Sequence, residues 1–477
     1  MGATKENFLQ LTRKRDSIKL IREDEKVKEI NAWLQKNHHN WKAGMSDVSK
    51  MYYEDRRKIG IRANSSLIYL FRHYQEGVFD IFYDTDIPIY TSSGTYISNL
   101  DYRDWHGQNW ITSIKNQHSC GSCSIFSVTA TVESLFNLYY NKHLNLDLSE
   151  QQSLSCLSDL GNCSSGWNPG GIIDYFMRIG VVEENCFPYS GSDTISCNNI
   201  CSSSTNLHQV TNMVGFNIYP YYRTIDNLQK MLLQFGPLSG TIDSLHHAMS
   251  LVGYYTDSEN SVIWIFKNSW GNTWGENGFV NIKTPINHVT ETYAITTPVT
   301  ALIFSESDRV CADMDGDGYY NWGIGTKPAT CPDCAPDTPD GNDADPSIGP
   351  VNEYGQPILP FTPLTIPDTE VTTSQTWSNN RTICGDLIIK NNATLTLTGT
   401  ISMQASHRIY VKSGSKLIIN GGKTSLAGIT VESGGTLTLN GNGIIEIFNP
   451  SDVTINVGGV FNHNFGEINV VNPFMPN

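Results

Sequence analysis

Two cysteines three positions apart, Cys120 and Cys123, stand in the run KNQHSCGSCSIFS at 115–127, with Gln117 just upstream. Such a pair can clasp a metal, act as a redox couple, or combine one structural thiol with one nucleophile. A metal site needs two more ligands at comparable spacing, and no second CxxC lies in this part of the chain. A redox couple needs a thioredoxin-like context, which the neighbouring pattern lacks. A nucleophilic thiol needs a base and a group to orient that base. The segment HHAMSLVGYYTDSENSVIWIFKNSWG offers both as His247 and Asn268, with apolar runs 248–255 and 262–266 flanking the polar turn TDSEN. The midpoint of His247 and Asn268, 257.5, falls at the centre of that turn, so antiparallel pairing predicts the two side by side. One imidazole nitrogen then stays free to face a thiol, and the adjacent His246 reads as structural.

These groups need rigid supports. Ile125, Val128, Val132, Leu135, Phe136 and Tyr139 recur at helical spacing, which predicts a buried helix from about Cys123 to about Asn141. Unpaired N–H groups and the helix dipole at its first turn favour the thiolate, the reactive form. The whole chain of 477 residues is too long for one core. Its net charge of −15, from 32 basic against 47 acidic residues, argues against nucleic acid or an anionic membrane as main partner. No apolar run is long enough for a transmembrane segment. The N-terminus lacks the apolar core of a signal peptide, so a signal would have to have been removed already.

Four zones are expected. Residues 1–97 are charged, helix-patterned and free of cysteine, whereas 98–305 hold seven of the 11 cysteines and form the candidate catalytic body. Residues 306–365 are rich in Asp, Pro and Gly and read as a linker. Across 366–477 short alternating strands and Gly/Asn/Ser turns repeat, with Ile389, Val411, Val431 and Ile455 at matching places 22, 20 and 24 residues apart. A β-only period in the twenties suggests a β-solenoid, with a β-sandwich of similar hairpins as the alternative.

The body resembles the papain-like cysteine peptidases. The stretches that carry the resemblance are DYR (101–103), KNQHSCGSCSIFS, LSEQQSLSC (148–156), FPYSG (187–191), GPLSG (236–240), HAMSLVGY (247–254) and KNSWGNTWGENGFVNIK (267–283), in family order over about 200 residues. The resemblance implies an α+β fold of two lobes, one helical and one a β-barrel, and a catalytic set of Cys123, His247, Asn268 and Gln117. Cys123 would be the nucleophile, His247 its imidazolium partner and Asn268 the orienting group. Gln117 would serve the oxyanion together with the Cys123 N–H, and Trp270 would shield the His/Asn contact. No cofactor is implied for catalysis. The substrate-pairing segment is CSSGW, so Ser165 and Gly166 take the glycine positions, and Ser124 stands where an aromatic residue is expected. The stretch between GPLSG and His247 is shorter than in papain, which implies a reduced primed-side wall. By the same resemblance Cys120 pairs with Cys163 and Cys156 with Cys197, leaving Cys186 and Cys201 to bridge and Cys123 free. Paired cysteines imply an oxidising setting: secreted, periplasmic or cell-surface.

Residues 1–97 resemble the short propeptide of cathepsin B-like enzymes at Asn40, Trp41, Ala43 and Gly44, which implies a zymogen inhibited by its own propeptide. A plain helical domain is the alternative. In the linker, DMDGDG places Asp313, Asp315 and Asp317 at alternate positions, suited to calcium, with Ile324 where a complete EF-hand has Glu. Further oxygens would come from Asp340, Asn342, Asp343 and Asp345, and the stretch resembles thrombospondin type 3 calcium loops. Cys311, Cys331, Cys334 and Cys384 are read as two disulfides, with a four-thiolate zinc site as the alternative. His407 and His463 read as surface residues. The C-terminal module is a candidate spacer or a surface for a cell-wall, glycan or protein ligand. The function expected is endopeptidase action on protein or peptide substrates, since no histidine-bearing occluding loop is visible. A non-catalytic adhesin, or an acyl transferase or isopeptidase with the same triad, are the alternatives.

Overall fold

The computed structural model describes Lys28 and residues 95–201, 208–216, 225–242, 246–283, 289–300, 305–364, 366–404 and 406–471. Apart from Lys28 and residues 95–97, the expected propeptide lies outside the described residues. Two compact units emerge: residues 1–137 with 145–305, and residues 138–144 with 306–477.

The first unit pairs a helical layer with an antiparallel sheet. Helix α1 (Cys123–Tyr140) starts at the expected cysteine, and Ile125, Val128, Val132, Leu135 and Phe136 bury its apolar stripe. Helix α2 (Glu150–Cys156) is capped by Ser149, whose side chain accepts from the Gln152 N–H. Helix α3 (Pro169–Arg178) begins on Asn168, which accepts from the Gly171 N–H, with Pro169 at the first helical position. Helix α4 (Ile225–Phe235) follows.

The sheet contains β1 (Asn99–Asp101), β2 (His208–Phe216), β3 (Leu238–Ile242), β4 (His247–Thr256), β5 (Val262–Lys267), β6 (Phe279–Ile282) and β7 (Val289–Thr300). Strand order is β2-β7-β3-β4-β5-β6, with β1 on β4. The β4–β5 hairpin differs from the expected register. Thr256 pairs with Val262, which centres the turn on Glu259. The Asp257 carboxylate accepts the N–H groups of Glu259 and Ser261 at 2.9 and 2.8 Å, holding the turn in that place. A bulge between Leu251 and Gly253 adds one more residue to β4. His247 therefore lies opposite Ile242 of β3, not across from Asn268.

In the second unit residues 369–470 wind through five coils of a parallel β-solenoid. Three five-stranded sheets form its walls: β8 (Thr369–Val371), β11 (Leu387–Ile389), β14 (Arg408–Val411), β17 (Gly428–Val431) and β20 (Val453–Ile455) in one; β9 (Gln375–Trp377), β12 (Thr394–Leu397), β15 (Lys416–Asn420), β18 (Thr436–Asn440) and β21 (Val460–Asn464) in the next; β10 (Arg381–Thr382), β13 (Thr400–Ser402), β16 (Lys423–Ser425), β19 (Ile444–Ile447) and β22 (Glu467–Val470) in the third. Ile389, Val411, Val431 and Ile455 stack in register, as the period required. Alternate residues point inward and build a core of Leu395, Leu417 and Leu437 beside Leu397, Ile419 and Leu439. Gly414, Gly434 and Gly458 occupy one turn position in successive coils at φ of 75°, 78° and 87°, where side chains are strained. Leu417 is fully buried between two coils. Leu417→Ala is expected to cost about 2–5 kcal/mol, read as a lower urea midpoint for the β-rich transition; an unchanged midpoint would contradict the packing.

No helix among the described residues is long and apolar enough to cross a membrane.

Candidate active site

Three elements meet at the site: the first turn of α1, the start of β4 and the segment after β5. The Ala248 N–H, next to His247, lies near enough to the Cys123 sulfur to favour its thiolate. His247 Nε2 lies 2.7 Å from Asn268 Oδ1. That oxygen also accepts the Ser269 N–H at 2.7 Å, which requires oxygen and not the amide nitrogen at this corner. Nε2 therefore carries its proton and donates, leaving Nδ1 as the basic nitrogen. Trp270 packs over the imidazole at 4.4 Å between ring centroids, and Trp274 meets Trp270 edge-on at 5.1 Å. Thus His247 and Asn268 meet through side chains that leave β4 and β5 at their ends, without sharing a cross-strand pair.

Gln117 is pinned on three sides. Its Nε2 donates to Cys120 O at 2.9 Å, its Oε1 accepts the Ser269 hydroxyl at 2.7 Å, and its backbone N–H bonds Ser269 O at 2.8 Å. One amide proton stays uncommitted by these bonds. The loop with Ser165 and Gly166 is tied to the helix start by the Cys120–Cys163 disulfide and by Gly121 N–H to Cys163 O at 2.9 Å. Gly166 adopts φ 71°, and the Asn162 side chain accepts the Ser165 N–H at 2.9 Å. The other disulfides are Cys156–Cys197, Cys186–Cys201, Cys311–Cys331 and Cys334–Cys384. Cys123 is the free cysteine, and the four late thiols are used up in disulfides instead of a zinc site.

Burial pushes the Cys123 thiol up, against the pull of the nearby Ala248 N–H. The Ser124 hydroxyl is near enough to favour the thiolate, yet is fully buried without a partner of hydrogen-bond geometry. Burial also pulls His247 down to about 4, with the Asn268 bond opposing it. In the enclosed site both effects favour neutral thiol and neutral imidazole. A depressed histidine stabilises the fold above its unfolded value, near 6.5, and that contribution is lost as pH falls through the folded value. The unfolding midpoint should therefore drop between about pH 6.5 and 4, and His247→Gln should flatten that limb. A mutant profile parallel to the wild type would remove His247 as the source.

The sequence reading missed a buried ionic network behind the site. Lys115 Nζ contacts Glu133 at 2.8 Å, Glu150 at 3.0 Å and Asp147 at 2.7 Å. Burial works against its charge, but these carboxylates overrule it and hold Lys115 well above the usual lysine value. Lys267 donates to Thr112 at 2.8 Å, and Thr112 donates to Glu133 at 2.7 Å. The two lysines stand two residues before Gln117 and one before Asn268, so the network fixes the backbone that carries both. Their place inside KNQ and KNSWG was the available signal.

The acidic residues divide in two groups that share Asp315: Asp313, Asp315 and Asp317, and Asp315, Asp340 and Asp343, each with carboxylate oxygens within 4.8 Å of one another. Asp345 is in neither group, although it stands beside Asp315. Asp345 instead binds its own Ser347 N–H and hydroxyl at 3.0 and 2.6 Å. Burial, with neighbouring aspartates, pushes Asp313 to about 7 and Asp340 to about 8. The Oδ2 atoms of Asp315, Asp317 and Asp340 are buried with no hydrogen-bond partner. Hard oxygen donors without protein partners suit a divalent cation such as calcium. His407 lies 3.5 Å from Asp386, and His463 is exposed.

The model of the papain family cysteine proteases matches residues 97–301. That segment is a papain-family cysteine protease domain. A viral cathepsin of Lymantria dispar multicapsid nuclear polyhedrosis virus is 35% identical to this chain over 204 residues, covering 39% of the chain and 54% of the viral protein. Zingipain-2 of Zingiber officinale is 29% identical over 201 residues, 39% of this chain and 90% of its own length. The chain spans about half the length of the viral relatives, 54% and 56% for the first two. Among solved structures, the digestive procathepsin L2 proteinase of Tenebrio molitor larval midgut is similar with TM-score 0.45 and 21% identity, over 62% of this chain and 95% of that one.

Proposed function

We propose that the chain is a secreted cysteine endopeptidase, made as a zymogen, whose peptidase domain cleaves peptide bonds with Cys123, His247, Asn268 and Gln117. The observation that carries the reading is the double acceptance at Asn268 Oδ1, which sets the imidazole tautomer, on the histidine whose neighbour Ala248 turns its N–H toward the free thiol of Cys123. His247 Nδ1 takes the thiol proton as sulfur attacks the peptide carbonyl, and the carbonyl oxygen becomes an oxyanion. Gln117 and the Cys123 N–H donate to that oxygen. The imidazolium returns its proton to the leaving amine as the C–N bond breaks, and water then hydrolyses the thioester.

Five disulfides support an oxidising, extracytoplasmic setting. The zymogen reading rests on the propeptide-like N-terminal sequence, and calcium in the acidic linker on its buried, unpartnered carboxylate oxygens. The solenoid serves as spacer or as a binding surface for a cell-surface or glycan ligand. A peptidyl epoxide applied to processed protein should label Cys123, and a peptide library should be cut internally. Failure to label would sink the enzyme reading in favour of a binding protein, while transfer to an added amine without net hydrolysis would favour an acyl transferase.

A further inference from the structure

The last turn of α1 ends in carbonyls that no further helical turn can satisfy. Two short arms satisfy them instead. From the first arm, Val310 N–H bonds Tyr140 O at 2.9 Å and Arg309 Nε bonds Tyr139 O at 3.0 Å. From the second, Ile324 N–H bonds Leu138 O at 3.1 Å. Asn141 completes the clasp by donating its amide to Val310 O at 3.3 Å and Asn321 O at 3.1 Å. Gly323 presses so closely that an added Cβ would come within 1.8 Å of Leu138 O.

The arms are joined to each other by reciprocal bonds between Ala312 and Asn321, at 2.9 and 2.7 Å. Between them runs the loop with Asp313, Asp315 and Asp317, so the arms are the stem of the acidic loop. Asp340 is bound to the same stem by its N–H to Tyr320 O at 3.1 Å. Asp317 and Asp340 are only 1% and 3% exposed, and each points a buried oxygen with no partner. Like charges crowded in this way repel one another unless a cation sits among them, and repulsion in the loop strains the stem that holds the helix end.

We infer that a divalent cation bound by the Asp315-centred cluster locks a clamp on the trailing end of the helix that carries Cys123, so that peptidase lifetime depends on that ion. The inference rests on the cation-site reading given above. It adds the consequence that the ion acts on the peptidase helix and does not merely order a linker.

The test uses the full chain with calcium chloride or with EDTA. Calcium binding is followed by calorimetry, and amide hydrogen exchange is read at Val310 and Ile324, whose N–H groups hold the helix end. Calcium should slow exchange at both at least tenfold and lengthen the thermal inactivation half-life by a similar factor. A doubly substituted Asp317→Asn, Asp340→Asn chain should show the fast values in either solution. Binding with unchanged exchange at Val310 and Ile324 overturns the clamp while leaving the cation site standing. No calcium binding to the wild type overturns both. Slowed exchange with an unchanged half-life overturns the link to the peptidase.

Discussion

Cys123→Ala is expected to lower kcat/KM for a cleaved peptide by on the order of 10⁵- to 10⁶-fold, the scale of removing a catalytic nucleophile. No other described residue can take over, since the remaining cysteines in the described residues are all in disulfides. The substitution removes one buried sulfur atom at a helix start and leaves the backbone N–H of residue 123 in place, so the fold and one oxyanion donor survive. Steady-state hydrolysis, with unfolding temperature as control, measures it. Activity within tenfold of the wild type would show that the thiol is not the nucleophile.

Gln117→Ala is expected to reduce kcat by about 10²- to 10³-fold with little change in KM, because an oxyanion donor acts mainly in the transition state. The geometry behind this expectation is the fixed amide: Cys120 O and the Ser269 hydroxyl hold its two ends, so no reorganisation is needed when charge develops. The same bonds imply a stability cost of about 1–3 kcal/mol, since the Ser269 hydroxyl loses its acceptor in a buried place. Parallel kinetics and thermal unfolding separate the effects. A rise in KM with kcat unchanged would reassign Gln117 to substrate binding.

Much of the candidate site's geometry was legible because its groups occur in short runs, where neighbouring residues also fix the backbone. The helix from Cys123 was readable from its apolar spacing, and the solenoid from the return of Ile389, Val411, Val431 and Ile455. What escaped depended on contacts between distant charges. Lys115 is 18 residues from Glu133 and 35 from Glu150, and no local period links them. The hairpin register escaped because Asp257 caps its own turn and shifts the centre from 257.5 to Glu259. Asp345 was grouped with the cation ligands from proximity in sequence; its Oδ1 accepts from Ser347, and it stands beside Asp315 but outside the two three-carboxylate groups.

The free thiol among ten paired ones sets a redox problem that burial solves. Cys123 is 1% exposed and its thiol is pushed upward, so the oxidants that form and keep the disulfides find little thiolate to attack. Buried in this way, the Cys123 thiol is protected where the disulfides form. Exposing the sulfur to a substrate would end that protection, because the same exposure admits peroxide and small disulfides. A reductant strong enough to rescue Cys123 would also reach the partly exposed cystines, so working lifetime should peak at intermediate thiol concentrations.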